Sequence, residues 1–497
     1  MSIPFKPIYR SREIKDIEQR LAQQPAPPAL MERAGLAAAE LARELLADKT
    51  SVLVLAGPGN NGGDALVAAR HLKSWWYRVT LVFTGDRDKL PGDASRALAQ
   101  WLDAGGGLLE DIPTAGDWGL VIDGLFGIGL ARDLDPRYLE LVKRTNQMRL
   151  PVLSLDIPSG LDSDTGQPFR ATVRATHTLT FLALKPGLLT AYGPDYCGRV
   201  HLDTLGVDAA ALPEPKGRLP ERDGLAPLLK PRPLNSHKGM LGSVGILGGA
   251  DSMVGAALLA GRAALRLGAG RIYLGLLAEN APGVDIEQPE LMIRTPDGLL
   301  DLGHLSCLVV GPGLGQSEQA LRLLQRSLEA DLPLVLDADA LNLIAAHPAL
   351  AERLRARKKD AILTPHPAEA GRLLASSNHE VQQDRIGSAL VLAGRLNCLL
   401  VLKGAGTICA APDDTWYINP TGNPGLSSAG MGDVLSGILG ALIAQRVNPR
   451  QAMLLGVYLH GLAADELVRE GLGPIGLTAS EVSGKARGLL NGWVYPR

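Results

Sequence analysis

The feature that most constrains the fold is a short apolar segment, followed at once by a glycine-rich or acidic turn and then by a helical pattern. One copy runs from Ser51 to Ala56, turns through residues 57–64 and continues as a helical pattern over residues 65–76. With the second apolar segment, Arg78–Phe83, it makes a βαβ unit of parallel strands. Because the pattern recurs in both halves of the chain, it predicts an α/β protein with mainly parallel sheets.

The length of the chain, 497 residues, exceeds what one hydrophobic core supports, so at least two domains are expected. The segment Pro213–Gly224 is polar, proline-rich and without periodicity, which is typical of a linker. We therefore predict one domain over residues 1–217 and another over residues 218–497.

Composition excludes several classes of protein. The formal net charge of −2 gives no electrostatic case for binding nucleic acid or an anionic membrane. The four cysteines lie far apart without a CxxC pair, which indicates a reduced compartment. No apolar run suits a signal peptide or a bilayer span, so we expect a cytoplasmic protein.

Polar residues follow several predicted strands of the first half. Gly57, Gly59 and Gly62 fit GxGxxG, with Asp86 where a ribose-binding acid is expected, but this pattern is weak alone. The amides and carboxylate of Asn60–Asp64 add groups that can orient a sugar, an amide or a cation; the alternative is an Asn- and Gly-rich turn. Other acids, a serine and a lysine also stand just past strand ends, where open parallel sheets place their sites, namely Asp123, Asp156, Ser159 and Lys185.

The second half contains no GxxxxGK[ST] loop, so any nucleotide must be held in another way. Lys403–Thr407 offers main-chain amides and a cation after a strand, and Gly430–Asp433 precedes an apolar helix whose first N–H groups favour an anion. Asp433 either caps that helix or takes a proton from a hydroxyl that attacks a phosphate. His366 either begins a helix with Pro367 or contacts a ligand. Three further carboxylates could hold Mg²⁺ through water, namely Asp337, Asp339 and Glu369.

Together these motifs resemble a known family. Gly-Met-Gly-Asp433, Lys403-Gly-Ala-Gly-Thr, Thr364-Pro-His-Pro-Ala-Glu and Asp337-Ala-Asp-Ala-Leu-Asn are similar to motifs of the ribokinase-like ADP- or ATP-dependent NAD(P)H-hydrate dehydratases. Asn60-Asn-Gly-Gly-Asp and Asp156-Ile-Pro-Ser-Gly resemble NAD(P)H-hydrate epimerase. Fused in this order, the two halves resemble bacterial bifunctional nicotinamide-nucleotide repair enzymes over nearly the whole chain. The resemblance implies a Rossmann-like three-layer α/β/α first domain and a ribokinase-like doubly wound, mainly parallel second domain.

For the first domain, the resemblance implies a site for hydrated NADH or NADPH and a K⁺ ion. Asp156 would contact the damaged ring and Lys185 would be its proton partner. The K⁺ ligands would be Asn61, Asp123 and Ser159. The substrate-binding residues would be Asn60, Asn61, Gly62, Gly63, Asp64, Gly127, Ile128, Gly129, Leu130, Ala131, Arg132, Asp133 and Asp156.

For the second domain, the resemblance implies that Asp433 deprotonates the C6 hydroxyl, which then takes a phosphoryl group from ADP bound with Mg²⁺. The hydrated cofactor would be bound by Ala256, Gly313, His366 and Asp433. The nucleotide would be bound by Lys403, Gly404, Ala405, Gly406, Thr407 and Gly432. We also expect a homo-oligomer.

Three positions depart from the family pattern, namely Ala65, Ile128 and Met431. Ile128 stands where threonine is frequent and could remove a side-chain contact. Two rival functions remain open. One is a ribokinase-type small-molecule kinase with a regulatory first half, and the other makes the first half a nucleotide-sensing module without catalysis.

Overall fold

The computed structural model describes residues 5–26, 28–130, 132–208 and 211–496. The chain forms two compact units, Pro7–Lys216 and Gly217–Arg497 with the first six residues. In chain order, the elements up to residue 216 are β1 (Lys6–Ile8), α1 (Ser11–Ala22), α2 (Leu30–Leu46), β2 (Ser51–Ala56), α3 (Asn60–Ser74), β3 (Arg78–Phe83), α4 (Gly92–Asp103), β4 (Leu120–Gly124), α5 (Pro136–Gln147), β5 (Val152–Leu155), β6 (His177–Phe181), α6 (Gly193–Tyr196) and β7 (Arg199–Asp203).

The first unit contains a six-stranded, fully parallel sheet in the order β3-β2-β4-β5-β6-β7. Strand β2 is a continuous apolar run with Val52–Ala56 fully buried, as expected for a parallel strand covered on both faces. The strand order reverses between β2 and β4, because β3 lies on one side of β2 and β4 on the other. Their carboxyl ends therefore border the crevice in which such sheets bind ligands.

Helix α3 begins earlier than the sequence pattern indicates. Asn60–Asp64, expected as a loop ahead of a helix from residue 65, forms its first turn. The two glycines of this turn, Gly62 and Gly63, have low helix propensity, so the sequence pattern does not indicate that the helix begins here. A Cβ on Gly62 would lie 2.0 Å from the carbonyl oxygen of Gly57, so only glycine lets the turn pack against the end of β2.

The second unit contains a larger sheet. Its elements in chain order are β8 (Gly217–Leu219), α7 (Arg222–Leu225), β9 (Ser243–Gly248), α8 (Val254–Arg266), β10 (Arg271–Leu276), β11 (Met292–Arg294), α9 (Pro296–Leu300), β12 (Cys307–Val310), α10 (Glu318–Glu329), β13 (Leu334–Leu336), α11 (Asp339–Ala346), α12 (Pro348–Arg355), β14 (Ala361–Leu363), α13 (Pro367–Leu374), α14 (Asn378–Gln383), α15 (Arg385–Leu396), β15 (Leu399–Leu402), β16 (Ile408–Ala410), β17 (Trp416–Ile418), α16 (Met431–Ala444), α17 (Pro449–Arg469) and α18 (Ala479–Val494). The segment predicted as an irregular linker thus contains β8 and the first three residues of α7, and the unit boundary lies one residue before the expected start at 218.

The eleven strands of this sheet have the order β1-β8-β17-β16-β15-β14-β13-β12-β9-β10-β11. Strands β9 to β15 pair in parallel, and β16 is antiparallel to both of its neighbours. The doubly wound, mainly parallel sheet expected for the second half is confirmed. Its order reverses between β9 and β12, which places the ligand crevice at their carboxyl ends.

Helix α16 is the central helix of this unit and is buried almost along its whole length. A Cβ on Gly437 would lie 2.1 Å from the carbonyl oxygen of Ala260, so α16 and α8 pack at close backbone distance. Because α16 is held in the core, its N-terminal turn has a fixed position at the carboxyl edge of the sheet.

Candidate functional site

The crevice of the first unit brings together residues that follow three different strands. A Cβ on Gly127 would lie 3.3 Å from Cγ of Asn61 and 3.4 Å from Oδ2 of Asp156. Asn61 lies in the first turn of α3, Gly127 follows β4 and Asp156 follows β5. The structure therefore places these three predicted site residues side by side.

Asn61 has an unsatisfied side chain. It is 8% exposed, and neither its Oδ1 nor its Nδ2 finds a hydrogen-bond partner among the described residues. A buried amide without partners costs free energy, because it has lost its bonds to water. This side chain is available for a ligand or a cation.

Asp123 and Ser159 form a buried pair beside this site. The Ser159 hydroxyl donates to Oδ1 of Asp123 at 2.6 Å, and its main-chain N–H donates to Oδ2 at 2.9 Å. Ser154 donates a further bond to Oδ2 at 2.8 Å. Burial raises the pKa of Asp123, while these hydrogen bonds oppose the increase. The pair thus forms a compact group of oxygens within the sheet edge.

Lys185 and Asp156 form an ion pair. Lys185 is 1% exposed and donates to Oδ1 of Asp156, to the Thr180 hydroxyl at 2.9 Å and to the carbonyl oxygen of Phe181 at 2.7 Å. All three donors of an ammonium group are therefore used. Asp156 has a left-handed backbone with φ of 63°, which is uncommon for a residue other than glycine. The pair is thus fixed next to Gly127 in the crevice.

Two more carboxylates, those of Asp64 and Glu18, interact electrostatically with this ion pair. Removal from water raises the pKa of Asp64 well above its usual range, and the charges of Asp156 and Glu18 add to the increase. The pKa of Glu18 is raised by burial and then by the charge of Asp156. Sequence reasoning missed Glu18. Its only signal in the sequence is an acid next to Ile17, which belongs to the apolar stripe of the amphipathic helix α1.

Part of the predicted loop 127–133 lies away from these groups. Arg132 and Asp133 are exposed, and Asp133 accepts a hydrogen bond from the main chain of Arg170 at 3.2 Å. Ile128 packs against the hydrophobic core. Ala131 lies outside the described residues. Asp86, considered as a ribose-binding acid, is exposed and accepts bonds from Asp88 and Lys89 of its own turn.

The crevice of the second unit is organised by the N-terminus of α16. Gly430 is the residue before the helix and has φ of 84°, and Asp433 is the third helical residue. Gly430 is the N-cap residue, so the capping alternative for Asp433 is wrong. Burial raises the pKa of Asp433 to about 7, the charges of Asp337 and Asp339 contribute, and Lys403 opposes them.

Lys403 lies among carboxylates at the base of this crevice. Its Nζ is 2.9 Å from Oδ1 of Asp337 and 4.0 Å from Oε2 of Glu369. Burial alone lowers the pKa of Lys403, but these two charges outweigh it and the net pKa is raised. A Cβ on Gly432 would lie 3.2 Å from Nζ, so the ammonium group sits directly under the first turn of α16.

The three carboxylates considered as Mg²⁺ ligands are engaged within the protein. Asp337 also accepts a bond from the Ser436 hydroxyl at 2.8 Å, Asp339 accepts from the main chain of Gly315 at 2.8 Å, and Glu369 accepts from the main chain of His366 at 2.8 Å. Among the described residues, no three His, Cys, Asp or Glu side chains are grouped as metal ligands.

His366 has the helix-start role. Its Nδ1 accepts hydrogen bonds from the N–H groups of Ala368 at 3.1 Å and Glu369 at 3.4 Å, completing a capping box at the start of α13. Since Nδ1 is an acceptor, the ring proton is on Nε2. Burial and then the charge of Lys403 lower the pKa of His366, so the ring is neutral at pH 7. The ring is half-exposed, and its Nε2 lies 3.4 Å from Oε1 of Glu369.

Two small residues form the wall nearest the β9–β12 crossover. Gly313 has φ of 59°, and a Cβ placed on it would lie 3.3 Å from Cβ of Ala256 and 2.6 Å from the carbonyl oxygen of Met253. The predicted residues Ala256 and Gly313 are therefore neighbours, and any larger side chain would fill the space beside them.

The turn of residues 403–407, which begins with Lys403, connects β15 to β16. Gly404 and Gly406 have φ of 141° and 58°, and the Thr407 hydroxyl donates to the carbonyl oxygen of Gly404 at 2.9 Å.

Among the helices of the described residues, none combines the length and the apolar character that a bilayer span requires.

Family models match both halves of the chain. A family model described as NAD(P)H-hydrate dehydratase matches residues 244–485, and one described as YjeF-related protein N-terminus matches residues 28–187. A bifunctional NAD(P)H-hydrate repair enzyme of Coxiella burnetii is 39% identical over 97% of this chain and 99% of its own. The enzyme of the same description from Escherichia coli K12 is 40% identical over 93% of this chain and 89% of its own.

Among solved structures, an ADP/ATP-dependent NAD(P)H-hydrate dehydratase from Bacillus subtilis, co-crystallised with ATP and Mg²⁺, is 33% identical with a TM-score of 0.50. It covers 55% of this chain and 96% of its own. The resemblance of both halves to a known enzyme pair is thereby confirmed. The chain belongs to the family of bifunctional NAD(P)H-hydrate repair enzymes, with an epimerase domain followed by an ADP/ATP-dependent dehydratase domain.

Proposed function

We propose that the domain over residues 218–497 uses ADP to dehydrate the S form of hydrated NADH and NADPH. The C6 hydroxyl oxygen attacks the terminal phosphorus of ADP, the bond to AMP breaks, and the hydroxyl proton passes to Asp433. Phosphate then leaves C6 while C5 loses a proton, which restores the ring double bond. Phosphate leaves more readily than hydroxide, so nucleotide cleavage drives a dehydration that is otherwise slow.

The observation that carries this proposal is the position of Asp433. Its carboxylate lies in the first turn of α16, where unpaired N–H groups and the helix dipole attract a phosphoryl group. A base works best when its pKa is near the working pH, and the pKa of Asp433 is about 7. Lys403 supports the developing phosphoryl charge from below the same turn.

The other groups of this crevice take binding roles. The 403–407 turn and Gly432 bind the nucleotide through main-chain N–H groups. Ala256, Gly313 and the half-exposed ring of His366 contact the hydrated cofactor. Mg²⁺ binds with the nucleotide phosphates, because the neighbouring carboxylates are already engaged with Lys403, Gly315 and His366.

The domain over residues 1–217 interconverts the R and S hydrates. Epimerisation requires loss and return of the hydroxyl at C6, with proton transfer nearby. Asp156 and Lys185 form the acid–base pair for this step, and the Asn60–Asp64 turn and the 127–133 loop line the substrate.

The residues present fit a K⁺ ion beside this pair. The Asn61 amide oxygen is buried without a partner, and Asp123 and Ser159 supply further oxygens of the kind that an alkali cation prefers. When bound, K⁺ would offer a positive charge for an oxygen of the substrate. We also propose a cytoplasmic location and a homo-oligomeric state.

The deciding experiment incubates mixed R and S hydrates with ADP or ATP and follows recovery of reduced-ring absorbance together with phosphate. We expect recovery of both epimers, one phosphate per NADH, and a preference for ADP. A stable phosphate ester would instead indicate the kinase alternative.

Two variants assign the domains. D433N should abolish dehydration and leave epimerisation near normal, whereas D156N should do the reverse. Equal loss of both activities in either variant would contradict the assignment. Residues 1–217 assayed alone would identify a sensing module if they left the epimers unchanged.

A further inference from the structure

Arg385 is a buried arginine to which no function has been assigned above. It is the first residue of α15, is 2% exposed and is among the largest fully buried side chains of the described chain. Burial lowers its pKa only to about 10, so the guanidinium remains charged at neutral pH. Burying an arginine is costly unless its donors are used, so its bonds indicate what it stabilises.

Those bonds lead to the end of β15. Nη2 donates to the carbonyl oxygens of Leu402 and Lys403, both at 3.2 Å, and Nη1 donates to Oε1 of Gln382 at 2.8 Å. The guanidinium thus holds the two peptide groups that lead into the 403–407 turn.

The orientation of these peptides follows from their planarity. In a trans peptide the C=O and the next N–H point in opposite directions. Drawing the Leu402 oxygen toward Arg385 directs the Lys403 N–H away, and this N–H donates to the carbonyl oxygen of Pro365 at 2.9 Å. By the same rule, holding the Lys403 oxygen directs the Gly404 N–H away from the guanidinium.

Gly404 completes the fit. Its φ of 141° is a conformation that only glycine adopts readily, and a Cβ there would lie 2.8 Å from both Nη1 and Nη2 of Arg385. The guanidinium therefore occupies the space behind the turn that a side chain would need. The position of the Arg385 guanidinium therefore requires glycine at residue 404.

We propose that Arg385 is the positioning residue of the nucleotide site, orienting the 403–407 turn so that the Gly404 N–H faces the phosphates of ADP. It also places a positive charge behind that turn, which favours a polyphosphate. The inference rests on the proposed function, since it needs the 403–407 turn to bind the nucleotide.

The test measures ADP binding to the full chain by titration calorimetry for wild type, R385K and R385M. R385K keeps the charge but cannot donate the forked pair of bonds, so Kd should rise about 10-fold; R385M loses both and should raise Kd about 100-fold. The KM for ADP should rise in parallel, and epimerase activity should stay at the wild-type level.

R357K is the matched control. Arg357 also donates to two carbonyl oxygens, those of Leu328 and Leu332, but it lies beside the amino end of β13, at the opposite edge of the same sheet. Its substitution should change the Kd for ADP by less than about twofold. A purely structural role for Arg385 would lower the fraction of molecules that bind, whereas a positioning role changes Kd itself.

A wild-type Kd in the folded fraction of R385K and R385M would overturn the inference and leave the dehydratase assignment intact. A wild-type chain that binds neither ADP nor ATP and recovers no NADH would refute the proposed function, and the inference with it.

Discussion

Replacing Asp433 with asparagine should stabilise the dehydratase domain while removing its activity. The pKa of Asp433 is raised from 3.8 to about 7, mainly by burial, so its charged form is disfavoured in the folded protein. One pKa unit is about 1.4 kcal/mol, so the full difference corresponds to at most about 4 kcal/mol. Because the side chain is partly exposed, solvent reduces this figure, and we expect a gain of about 1–3 kcal/mol.

The pH dependence fixes the sign of this effect. The folded-state pKa lies above the unfolded value, so the folded domain binds the proton more tightly and loses stability as pH rises from about 4 to 7. The advantage of D433N should thus be near zero at pH 4 and reach its maximum above pH 7.

Calorimetric unfolding of the full chain at pH 4 to 8 measures the stability advantage of D433N. D360N, at an exposed acid of the same unit, is the control. The reasoning is refuted if D433N is no more stable than wild type at pH 8, or if D360N gains as much.

Three further predictions concern activity. Dehydratase kcat/KM should fall about tenfold for each pH unit below 7, because Asp433 must be deprotonated; a flat profile from pH 5 to 8 would exclude it as the base. E18Q should alter the pH profile of epimerisation and lower its rate about tenfold with dehydration unchanged, because the charge of Glu18 interacts with that of Asp156. A wild-type profile would show that Glu18 does not belong to the site. N61L should abolish any K⁺ dependence of epimerisation while the fold is kept, because the leucine fills the place of the unpaired amide; retained K⁺ activation would place the ion elsewhere.

The chain positions of the central strands could be predicted from the sequence because these strands are buried apolar runs. Strands β2 and β3 have the predicted bounds, and strands β12 to β15 also begin and end where the apolar runs do. In parallel sheets such runs are continuous, and the polar residues that end them are the ones at the ligand edge. Asp156 was found by this logic, whereas Asp433 was found from the glycines that precede an apolar helix.

The remaining features depend on tertiary contacts. Lys403 was expected to bind the nucleotide, and its side chain pairs with Asp337, 66 residues earlier in the chain. No local pattern reports such a pair. Arg385 was overlooked for a similar reason: in sequence it reads as one polar residue at a helix start, and its role appears only when its side chain is seen under the 403–407 turn. Glu18 lies on the amphipathic helix α1, where the sequence pattern indicates only a surface acid beside the apolar stripe.

The central claim is that the C6 hydroxyl oxygen attacks ADP with Asp433 as its base. It is tested most directly with S-hydrate carrying ¹⁸O in that hydroxyl, by mass analysis of the products after one turnover with ADP. The account predicts that the released phosphate carries one ¹⁸O per NADH formed. Recovery of the label in water, with unlabelled phosphate, would contradict it.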